Sequence, residues 1–203
     1  MNGLSGPLLY ARSRRVPVTL AVLTAAALLT FWWGDPPSGR GPAFPGPAAW
    51  AWLAGPLLAA VAIGAALHSD SAELDRTAAR PGWLPRAAQL LGLTVFAVAA
   101  AAVTSPLSEE GATLATTARV LLGAVGLAAA GAVPLGARLS WLPPLAYLVT
   151  VPLVGPLPEG SPVVWSWPLR PDGDTGAWLT ALALLAAGTA LAAWRGPRPE
   201  GRR

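Results

Sequence analysis

The chain contains no cysteine, no lysine and a single histidine, and only 12% of its 203 residues are charged. Without cysteine there is no disulfide, no thiolate-ligated zinc, no iron–sulfur cluster and no thiol nucleophile. Without lysine there is no P-loop lysine, no Schiff base and no catalytic amine. His68 alone is too little for bis-histidine haem ligation or a two-histidine zinc site within one copy. No metal, cofactor or catalytic residue is therefore expected, and most enzyme classes fall away. A soluble domain averages about 25% charged residues, so the surface of this chain is not built to face water throughout.

What is present is apolar sequence: 54% hydrophobic residues and a mean hydropathy of +0.51. Only a helix or a closed barrel satisfies its own backbone inside a bilayer, and a spanning helix needs roughly 20 mostly apolar residues. Six runs qualify: 16–33, 48–67, 87–104, 112–136, 141–157 and 176–194. The fold class expected is all-α, a polytopic membrane protein with a short N-terminal segment (1–15), a six-helix domain (16–194) and a basic tail (195–203). Arg12, Arg14 and Arg15 precede the first run, but Phe31, Trp32 and Trp33 close it where a cleavage site would need small residues, so it reads as a span and not a discarded leader. The fourth helix is expected to begin outside the bilayer core at Ser108, capped and followed by Glu109 and Glu110. Pro143, Pro144 and Pro152 predict kinks in the fifth.

The fourteen basic residues are all arginine, and with so much Ala, Gly and Pro this usage fits coding in a GC-rich genome. Their placement carries the information. With the N-terminus inside, Arg12, Arg14, Arg15, Arg76, Arg80, Arg86, Arg138, Arg195, Arg198, Arg202 and Arg203 fall on the inner side, and Arg40, Arg119 and Arg170 on the outer. Eleven against three obeys the positive-inside rule and predicts both termini cytoplasmic, in a multi-pass protein of the cell membrane. The alternative is that the fourth and fifth runs form a re-entrant hairpin. Flanking arginines without interleaved aromatics point to anionic lipid, not nucleic acid.

Three places merit a functional reading. The inner linker 68–86 holds a capped, charged segment with Glu73, Asp75, Arg76 and Arg80, ended by Pro81 and Gly82. It is either a short helix on the cytoplasmic face, fit to meet an ATPase, or a solvated connector. Trp165 and Trp167, set among prolines in the outer loop, either line an entrance or subunit contact or, the simpler reading, anchor at the membrane interface. Arg119, near the outer end of the fourth helix, either pairs with Glu109 or Glu110 or snorkels to the interface, with snorkelling the simpler outcome. Gly123, Gly126 and Gly131 would allow close helix approach. The Glu109–Glu110 pair is similar to that of CAAX-type intramembrane proteases, but the arginine three residues on and the later histidines of that family are missing. A serine protease fails for want of a histidine at membrane depth, and an ion-coupled carrier for want of a mid-span carboxylate.

The strings LHSDSAELDRTAARP (67–81), GARLSWLPPLAYL (136–148) and WSWPLRP (165–171) resemble those of small six-span bacterial permeases of the ABC-2-like kind. The resemblance implies a membrane subunit working with a separate ATP-binding subunit at the 68–86 linker, and with a second membrane subunit, identical or different. The segment GLSGPLLYARSRR (3–15) is shorter than the amphipathic helix such subunits often carry there. The competing class is a non-transporting membrane protein: a scaffold, accessory, sensor or immunity protein.

Overall fold

A computed structural model describes residues 16–33, 47–67, 83–104, 114–154 and 163–196. Every regular element among them is helical. The principal helices are α1 (Val16–Trp33), α2 (Pro47–Ala65), α3 (Trp83–Thr104), α4 (Leu114–Leu135), α5 (Leu142–Val154) and α6 (Thr175–Arg195). Three of them, α3, α4 and α6, are long and apolar enough to cross a membrane. Short turns at Ala137–Leu139, Val163–Ser166 and Trp167–Leu169 complete the described chain.

The helices begin and end for local reasons. Pro143 and Pro144 fall in the first turn of α5, where a missing N–H leaves no bond unmade, so they start this helix and do not kink it. Trp83, Leu84 and Pro85 likewise form the first turn of α3, which begins ahead of the expected position 87. Asp174 caps α6 by accepting the Ala177 N–H at 3.0 Å. The expected start of the fourth helix at Ser108–Glu110 lies outside the described residues.

α4 is the central helix, with 67% of its spanning stretch buried against 28% for α3 and 33% for α6. It packs on α2, α3, α5 and, most extensively, α6. The α4–α6 crossing is a backbone contact: Cβ atoms at Gly126 or Gly188 would collide with main-chain atoms of the opposite helix. Gly131 receives the Pro143 ring, whose Cγ would stand 2.6 Å from a Cβ there. The small residues of α4 thus serve contacts inside the chain.

Two ends of the bundle can be told apart. α4 and α6 both start at what we call the Asp174 end and finish at the Arg195 end. Gln89 of α3 donates to the Ala66 carbonyl after α2 at 3.0 Å, and Ser140 stands against Gly64 near the end of α2. Arg86, Arg138 and Arg195 therefore share the Arg195 end.

Candidate functional site

The Asp174 end is organised around Arg119, the sixth residue of α4. Its side chain is 0% exposed. Nη1 donates to the Pro171 carbonyl at 2.8 Å, and Nη2 donates to the Arg170 carbonyl. The charges of Asp172 and Asp174 act on it favourably. This corrects the snorkelling expectation: the guanidinium turns inward and holds the loop that leads into α6. Glu109 and Glu110 lie outside the described residues.

The loop is tied at several further points. Thr116, one turn before Arg119, donates its hydroxyl to the Asp172 carboxylate. The Asp172 carbonyl accepts the Trp178 indole N–H at 3.0 Å. Pro171 accepts from the Asp174 backbone N–H at 3.1 Å as well as from Arg119. Arg170 Nε donates to Ser166 Oγ at 3.0 Å. Both described carboxylates and both described arginines of this end are thereby bonded within the protein.

Deeper in, the loop drives Trp167 into the bundle. Its indole is fully buried and its six-membered ring lies directly on Gly123, where any Cβ would intrude. Gly123 is nine residues along α4, or about 14 Å down the helix axis at 1.5 Å per residue. Tyr147 of α5 stacks on Trp167 at 6.1 Å and 12°. It meets Trp165 edge-on at 5.6 Å and donates its hydroxyl to the Trp165 carbonyl at 2.5 Å. Trp167 is thus a core residue and not an interfacial anchor, whereas Trp165 keeps 36% of its surface exposed. The reason is steric: only a glycine at 123 opens a slot for an indole, and Tyr147 supplies its second wall.

One buried donor here lacks an acceptor among the described residues, Arg119 Nε. Among the described residues no group of three or more His, Cys, Asp or Glu side chains comes together. The arrangement can hold a loop and close one end of a helix bundle. Glu73, Asp75, Arg76 and Arg80 lie outside the described residues, and only the Gln89–Ala66 bond beside their linker is seen.

Sequence reasoning passed over Tyr147, Thr116, Asp172, Asp174 and Trp178. One signal was available: Asp174 immediately precedes an apolar run, the mark of an N-cap. Comparison with protein-family models, with characterised proteins and with solved structures finds no match.

Proposed function

We propose that the chain is a six-span protein of the cell membrane with both termini cytoplasmic, serving as the membrane subunit of an ABC-type transporter with a separate ATP-binding subunit. The observation that carries the orientation is the split of the arginines by availability. Arg138 and Arg195 are exposed and Arg86 half-buried at the Arg195 end, while Arg119 and Arg170 at the other end are bonded into the loop. Solvent-exposed arginine thus lies at one end, the end that meets anionic headgroups and the cytoplasm in this reading. For coupling, the support is the tie between Gln89 and Ala66: a partner pressing on the 68–82 linker would load α2 and α3 together.

A second reading, a non-transporting membrane scaffold, is favoured by the plugged Asp174 end. There Trp167 is fully buried against α4 at Gly123 and against Tyr147 of α5.

Affinity purification of the tagged chain from native membranes separates the two. Co-purification of an ATP-binding subunit, lost in a D75N/R76Q/R80Q variant that still inserts, supports the transporter reading. If the triple variant retains the ATPase in full, the linker is a connector and not the contact; if no ATPase accompanies the chain, the scaffold reading stands.

A further inference from the structure

Two tryptophans and two arginines converge on one corner of the Arg195 end. Trp83 opens α3 with 52% of its surface exposed, and Leu84 beside it is 54% exposed. Arg86 follows three residues later, the spacing that places both on one helix face. From α6, Trp194 is 87% exposed and Arg195 ends the helix. The two helices pack together, and the Arg86 guanidinium lies over the end of α6: a Cβ built on Gly196 would stand 2.9 Å from its Nη1. Gly196 also has φ +71°, so this position suits glycine both for its backbone and for the room it leaves Arg86.

The negative end of the α6 dipole attracts the guanidinium to this spot. A guanidinium carries five N–H donors in a planar fork matched to phosphate oxygens. Neither carboxylate among the described residues, Asp172 or Asp174, is at this end to compete. The surface leading away from Trp83 and Trp194 is apolar, with Leu84 and Leu91 of α3 and Ala187 and Ala190 of α6 exposed.

We propose that this corner binds the phosphate headgroup of an anionic membrane phospholipid, with Arg86 and Arg195 on the phosphate oxygens. Trp83 and Trp194 lie over its glycerol and upper acyl region. Tryptophan at headgroup depth and basic pockets between helices are the two elements of such sites. An acidic peptide would satisfy the arginines but leave the apolar surface beyond them uncovered; acyl chains cover it. The proposal rests on the membrane reading above and is independent of transport.

The test uses the full chain in detergent, offered phosphatidylglycerol and phosphatidylethanolamine of equal chain length, with bound lipid counted by native mass spectrometry. The wild type should prefer phosphatidylglycerol. Each single Arg→Gln change at 86 or 195 should lower that preference about fivefold, and R86Q/R195Q about thirtyfold. R86K/R195K keeps both charges without the planar fork and should fall between the wild type and R86Q/R195Q, which separates lost recognition from lost folding. R138Q removes an exposed arginine at the same end but from the α4–α5 turn, and should change nothing. Equal retention of the two lipids by the wild type, or an equal loss in R138Q, would overturn the site. Displacement of the lipid by millimolar inorganic phosphate would also overturn it, in favour of a free-anion site. Release of the chain from membranes by alkaline carbonate would instead defeat the membrane reading, an outcome the lipid count cannot mimic.

Discussion

Replacing Arg119 by alanine would leave the carbonyls of Arg170 and Pro171 without their donors at a fully buried position, and would leave Asp172 and Asp174 without the cation they face. Breaking a buried charged arrangement by deleting one partner costs about 3–5 kcal/mol, so R119A should lower the denaturation midpoint in detergent by a correspondingly large amount. R119K should fall between, because an ammonium cannot span two carbonyls in one planar fork. Wild-type stability in R119A would mean that the aromatic contacts alone hold the loop. Trp167 and Gly123 make a sharper residue-scale case, since each defines the space of the other. G123A pushes a methyl into the indole and should cost about 1–3 kcal/mol by overpacking. On a W167A background the same change should be neutral or stabilising, because the slot is empty and alanine is the better helix former by about 1 kcal/mol. A double-mutant cycle measures this; additive costs would mean that the slot relaxes and the fit is loose.

At the scale of elements, helices were legible because uninterrupted apolar length is a local property. The runs 16–33 and 176–194 differ from α1 and α6 by no more than one residue at either end. Pro143 and Pro144 misled because the effect of proline depends on its position within a helix, which the apolar run alone does not fix. The α4–α6 crossing was readable only as an excess of small residues; that Gly126 meets Gly188 depends on the register of two helices separated by the whole of α5. Glycines on the two sides of the molecule should therefore respond oppositely to alanine. At Gly188 the added Cβ strikes the Gly126 main chain, which cannot yield unless the helices separate, so G188A should destabilise by about 1–3 kcal/mol. At Gly92, on the exposed face of α3, nothing lies within 4 Å of the added atom, and G92A should gain about 0.5–1 kcal/mol from helix propensity. Unfolding midpoints of the two variants, taken side by side, check the register directly; the same sign for both would contradict it.

For the whole molecule, the arginine asymmetry is sharper in the structure than in a count of residues. Arg119 and Arg170 enter a sequence tally as outer charges, yet their guanidinium groups are bonded inside the loop they stabilise. They are withdrawn from any contest over orientation at the bilayer surface. Among the described residues the exposed arginines, Arg138 and Arg195, lie at the Arg195 end, the end that the proposed orientation puts in the cytoplasm. Because the chain has no cysteine, one introduced thiol at a time reports its own side without a background to remove. Gly173 offers open space for a new side chain at the Asp174 end, and Leu139 is 44% exposed at the Arg195 end. In intact cells a membrane-impermeant maleimide should label G173C and spare L139C, and L139C should react only after permeabilisation. The reverse pattern would invert the protein. Labelling of both from outside would place the two ends on one side of the membrane, and α4 and α6, which run from one end to the other, could not then be spans.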